Sequence, residues 1–382
     1  MLKRVFTHVL LASFTLGASC TALAFGPEFS SEMVVPKQGA AVPKSFSLNK
    51  VDREHLKNHD KAVQIFSGMF LRDPYIMKGP DGYFYYTGTR LDRVLGGAKY
   101  DYKNEGVEIW RSKNLADWEL LGVPVKLGML SNIDAFAKHA ATRKHNQGKA
   151  LLWAPELHYL NNKWYITHTT NSQRAVLWVA DNVMGPYQEL MGTEKFGHRH
   201  DPTLFQDDDG KNYMLYAATD ILQLNSELSA FQGQKKKAWP SDRKIGHEGT
   251  FVIKHEDKYV LFGTAWSTDK PRKGTYNLYY ATADNILGPY SERKWVGRFL
   301  GHGTPFKDSQ GRWWMTAFKN GTYVPYDDLM LQNDQGDDAY TGTQSGAMLV
   351  PMEIDTDETG EVRFTVKDYR FATPGPEEVQ QF

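Results

Sequence analysis

Residues Asp73–Thr89 read DPYIMKGPDGYFYYTGT. An acidic residue and a proline open a short apolar run. A Gly-Pro-Asp-Gly turn follows, then an aromatic run that ends in small residues. The pattern predicts a strand, a tight turn and a second strand. An aspartate before proline is a common turn former, and it is also a candidate working group. Recurrence separates the two readings.

The pattern recurs four more times, as APELHYLNNKWYITHTT from Ala154, DPTLFQDDDGKNYMLYAAT from Asp201, EGTFVIKHEDKYVLFGTA from Glu248 and GTPFKDSQGRWWMTAFK from Gly303. Companion segments follow several copies: WRSKNLADWELLG from Trp110, VADNVMGPYQEL from Val179 and ATADNILGPYSE from Ala281. Five copies of a roughly four-stranded unit predict an all-β, five-bladed β-propeller. The first residue of each copy then converges on the central axis. Asp73, Asp201 and Glu248 meet there although they lie far apart in the chain. A β-sandwich, the competing architecture, would scatter them through turns.

Composition narrows the function. Lys plus Arg and Asp plus Glu are equal at 45 each, so no overall field favours nucleic acid or anionic membrane. Aromatics make up 13% of the chain, which suits both β cores and sugar clefts. The chain opens MLKRVFTHVLLASFTLGASCTALAF. Lys3 and Arg4, an apolar stretch and Ala22-Leu23-Ala24 read as a signal peptide over 1–24, too short to span a membrane. The expected location is therefore the periplasm or the cell exterior. A lipoprotein anchored at Cys20, the only cysteine, is the weaker alternative. Residues 25–65 read as an N-terminal extension packed on the propeller, and 66–375 as the propeller itself.

Three carboxylates around one axis suit glycoside hydrolysis. An inverting enzyme needs one carboxyl to protonate the leaving oxygen and one to activate water. A third tunes or orients the acid. Trp153 and Trp266, near the second and fourth copies, are candidate stacking platforms for a sugar ring. Arg72 and Arg199 precede the two aspartates closely and are candidates for substrate hydroxyls or an acidic substituent. His158, His198, His200 and His247 read as polar walls of the pocket, and Glu156 as a structural or substrate-contact residue. No zinc-type histidine spacing is present.

The motifs RDPYI (from Arg72), WAPELH (from Trp153), HDPTLFQDDDGKNY (from His200), HEGTFVI (from His247) and GHGTPF (from Gly301) resemble, in order, those of glycoside hydrolase family 43. That family consists of five-bladed propellers, mostly inverting, acting on arabinose- or xylose-containing glycans. The resemblance implies Asp73 as general base, Glu248 as general acid and Asp201 as the aspartate that tunes and orients the acid. It implies that His302 lines the axis, where it can contact a structural calcium, sodium or water; no cofactor is required. The substrate partner is an oligosaccharide or polysaccharide. Segments 91–105 and 134–149 read as long loops that turn a cleft into a pocket and favour release of single sugars. An anhydro-galactosidase of a related propeller family, acting on algal polysaccharide, is the alternative activity. A non-catalytic glycan-binding propeller and a protein-interaction propeller are the other classes; the presence of all three carboxylates argues against both.

Overall fold

The structure is a computed structural model that describes residues 43–69, 71–90, 106–142, 150–172, 174–270, 274–318, 346–375 and 378–380. The leader and the 91–105 insertion lie outside the described residues. Five antiparallel sheets form the blades of a propeller. Their innermost strands are Leu71–Lys78, Leu152–Leu160, Thr203–Gln206, Glu248–His255 and Pro305–Lys307. Each is followed by a hairpin partner: Phe84–Arg90, Lys163–Thr170, Asn212–Tyr216, Lys258–Trp266 and Trp313–Phe318.

Turn chemistry explains the first hairpin of each blade. Gly82, Gly210 and Gly311 take φ near +80°, where a side chain is strained. In the second blade Asn161 and Asn162 do the same work at φ 51° and 59°, as a type I′ turn requires. The Asp-Asn-x-x-Gly-Pro-Tyr echo builds one turn twice. Gly185 N–H donates to Asn182 and the Tyr187 hydroxyl to Val183; Gly288 and Tyr290 repeat both bonds.

The core is divided by blade interface. Five apolar clusters fill the five gaps between neighbouring blades. Trp110, Trp178 and Trp314 are fully buried in them. Much of the aromatic excess is therefore core rather than sugar platform.

The segment read as an extension is woven into the ring. Ser45–Ser47 adds an outer strand to the first blade, pairing with Asp117–Lys126. Val63–Ile65 pairs with Ala347–Leu349 in the last blade. A helix, Lys50–Asn58, joins the two strands; Asn49 caps it by accepting from Asp52 N–H. Val63, Ile65 and Phe66 are fully buried. In the 134–149 stretch, residues up to Ala141 belong to a helix that begins at Ile133 and buries Phe136 and Ala140. Among the described residues no helix is long and apolar enough to cross a membrane.

Candidate active site

Every blade starts with one residue in the left-handed region: Asp73 (φ 51°), Ala154 (44°), Asp201 (45°), Gly249 (62°) and His302 (57°). Asp and His are among the side chains that tolerate this conformation best. At Gly249 a Cβ would sit 2.9 Å from Thr264 Oγ1 and 3.0 Å from His302, so glycine is required twice over. This register shifts the sequence alignment of the last two copies by one. Glu248 lies one residue before its kink, in line with Arg72, Trp153 and His200. His302 stands in line with Asp73 and Asp201.

Two tiers result. Asp73, Asp201 and His302 form the deep tier, each under a tenth exposed. Arg72, Trp153, His200 and Glu248 form the second tier; Arg72 and Trp153 are as buried as the deep tier, while the Glu248 side chain is 28% exposed. Both tiers line one cavity of about 470 Å³, together with His247, Trp266, Tyr276 and Phe318.

The charges alternate. Asp73 Oδ1 lies 3.1 Å from His302 Nδ1, which is 3.9 Å from Asp201 Oδ2. That oxygen lies 3.1 Å from His200 Nε2, which is 2.9 Å from Glu248 Oε2. With Arg72 Nε 3.4 Å from Asp73, three carboxylates face three cations. Buried charge is tolerated only when paired in this way.

Burial alone would raise the Asp73 pKa, but the charges of His302 and Arg72 and bonds from His302 and Thr89 bring it below the ordinary value. Burial opposes charge on His302 too, yet Asp73 and Asp201 push it up to about 10. His200, also disfavoured by burial, is pushed up to about 9 by Asp201 and Glu248. Asp201 is raised, chiefly by burial. Glu248 is also penalised by burial, but the His200 bond and the charge of His247 bring it well below the carboxylate range. These directions favour a proton on His200 over one on Glu248.

Hydroxyls fix this geometry. Thr89 Oγ1 donates to Asp73 Oδ2 at 2.6 Å and accepts from Ala154 N–H of the next blade at 2.6 Å. Thr169 accepts from Asp201 N–H, and Thr264 from His302 N–H, both at 2.7 Å. Thr316 donates to the Pro74 carbonyl at 2.6 Å and so closes the ring. The small residues that end each aromatic strand are tethers between blades.

Not every expected residue reaches the cavity. Glu156 and His158 lie beyond the kink of their strand, paired with each other at 3.0 Å, outside the cavity wall. Arg199 turns away onto Tyr216 and Phe231. Trp153 lines the cavity, but the Arg72 guanidinium sits over its ring at 5.0 Å. Trp266 stacks with His247, interplanar angle 6°. The structure adds Arg243, Lys244, Asp269 and Arg293 to the wall. Only the basic pair at 243–244 offered a signal in the sequence.

His200, Asp201 and Glu248 offer ligand atoms within 4.8 Å of one another. His302 Nδ1 lies 3.1 Å from Asp73 Oδ1 and 3.9 Å from Asp201 Oδ2, so a cation at the axis would meet carboxylate oxygens beside it.

Residues 65–359 match the family described as Glycosyl hydrolases family 43, and the chain belongs to that family. It is 23% identical over 286 residues to a xylan 1,3-beta-xylosidase of Vibrio sp, covering 65% of this chain and 47% of that protein. It is 25% identical over 271 residues to alpha-L-arabinofuranosidase 43 of Humicola insolens, covering 62% and 49%. The chain spans about half the length of the curated relatives it matches. A solved thermostable family-43 glycoside hydrolase superposes with a TM-score of 0.54 at 21% identity, over 82% of this chain and 97% of that one. That likeness shows the shared propeller.

Proposed function

We propose that this chain is an inverting, exo-acting glycosidase of xylose- or arabinose-containing glycans. The observation that carries the reading is the pair of tiers: a deep ionised Asp73 and a more exposed Glu248, reached from different blades across one cavity. Asp73 takes a proton from water as the water oxygen bonds to the anomeric carbon. His200 Nε2–H, 2.9 Å from Glu248, passes its proton to Glu248. The bond to the leaving oxygen breaks as that oxygen takes this proton from Glu248. Asp201 holds His200 in place and disfavours negative charge on Glu248 by repulsion. The names of the relatives support the sugar class, and the cavity volume suits a small ligand. Export from the cytoplasm rests on residues 1–24 alone, and the mass of the exported chain would locate the cut. No cofactor enters the scheme.

Asp73→Asn tests the base directly. An amide cannot take a proton from water. Turnover of aryl β-xyloside, aryl α-arabinofuranoside and arabinoxylan oligosaccharides should vanish while the melting temperature holds. Retained turnover would remove Asp73 from the mechanism.

A further inference from the structure

The outermost strand of the third blade, Phe231–Lys237, leads into a strap, residues 238–246, that ends beside Glu248. The strap is fastened to the fourth blade. Pro240 bridges to Tyr290, Ser241 N–H donates to Ser291, and Arg293 N–H donates to Asp242. Ile245, within the strap, is fully buried. What the strap leaves outside is specific: Trp239 is 46% exposed, and Arg243 and Lys244 line the cavity wall. Lys244 Nζ lies 5.7 Å from the Trp239 ring centroid.

Strand alternation puts Lys235 and Lys237 of the preceding strand on one face and Lys236 on the other. Asp220 pairs with Lys237 at the end where Tyr216 returns to the axis. Lys235 and Lys237 are spent on Asp220, and Arg243 is spent on Asp242 and Asp269. Lys236 and Lys244 face no carboxylate among the described residues. Gln234–His247 carries five Lys or Arg against one Asp, in a chain whose charges cancel overall. The strap thus sets an exposed lysine in the cavity wall beside an exposed tryptophan.

We propose that the strap is a charged subsite, in which Trp239 stacks a sugar ring and Lys244 takes an anionic group of the glycan, a uronate carboxylate or a sulfate ester. It lies on the leaving-group side, because the acid that protonates the leaving oxygen follows the strap in the chain. That orientation rests on the assignment of Glu248 above; the charge preference does not.

The test is binding to the Asp73→Asn protein, read by tryptophan fluorescence. The probes are xylotetraose, a glucuronate-bearing xylotriose and a sulfated carrageenan tetrasaccharide. At least one charged probe should bind more tightly than xylotetraose, on the order of fivefold, as one half-exposed ion pair allows. The advantage should shrink as salt is raised. A preference for one charged probe names the anion. Lys244→Ala should abolish the advantage, Lys244→Glu should reverse it, and Trp239→Ala should weaken all probes that reach the strap. Equal binding of neutral and charged probes, or an advantage unchanged by Lys244→Glu, overturns the proposal. Hydrolysis of neutral substrates by the wild-type protein tests the glycosidase reading separately.

Discussion

At the scale of single residues, the places of Asp73 and Asp201 at the axis were legible because their backbone is unusual. An Asp-Pro pair opening a strand marks a left-handed kink, and two such pairs in aligned repeats mark one axis. Glu248 was legible from its copy, but its place in the second tier was not, because a one-residue shift leaves no trace in the aligned strings. The role of His200 was hidden as well. Its contact with Glu248 crosses from the third blade to the fourth and exists only once the ring is closed. That contact makes a prediction. With the proton stored on His200, kcat/KM should fall as pH rises through about 9, the value to which Asp201 and Glu248 push His200. In His200→Gln the proton has only Glu248 to occupy. Glu248 loses the bond that depresses it, and its pKa returns toward the carboxylate range. The basic limb of the profile should therefore move to lower pH by more than one unit. A basic limb that stays near 9 in the variant would remove His200 from the proton path.

At the scale of elements, the strands and their hairpins were readable from alternation and turn residues. Their ends were read too blandly. Thr89, Thr169, Thr264 and Thr316 look like small residues finishing aromatic strands, yet each hydroxyl bonds to the start of the next blade. The third blade ends in Ala217-Ala218 and has no such hydroxyl at those positions. Thr89→Val keeps the shape and deletes both bonds. It leaves Ala154 N–H and Asp73 Oδ2 without that partner, so stability should fall by about 1–3 kcal/mol in urea denaturation. Asp73 also loses a bond to its charged form, so its pKa rises and the acid limb of kcat/KM should move to higher pH. A loss of stability with an unmoved acid limb would make Thr89 a structural tether only.

At the scale of the whole molecule, the repeat count foretold five blades but not how the circle closes. Closure is non-local: Val63–Ile65 joins the last blade, and Phe66 then packs on Tyr86, Trp110 and Trp118 of the first, with ring centroids 4.6, 4.8 and 5.5 Å away. No short-range pattern near residue 63 announces a partner near residue 348. Phe66→Ala should cost about 3–5 kcal/mol of stability, as deletion of a buried aromatic does. A loss under 1 kcal/mol would mean that closure does not depend on this residue. The closed ring is what sets Asp73 and Glu248 on one cavity, and the proposed inverting reaction needs a water between them. Proton NMR of the earliest sugar released from an aryl β-xyloside or an aryl α-arabinofuranoside, whichever the protein turns over, reads that arrangement out directly. The anomer formed first should have inverted configuration, α from the xyloside or β from the arabinofuranoside. Retained configuration would contradict the assignment of Asp73 as a base acting through water.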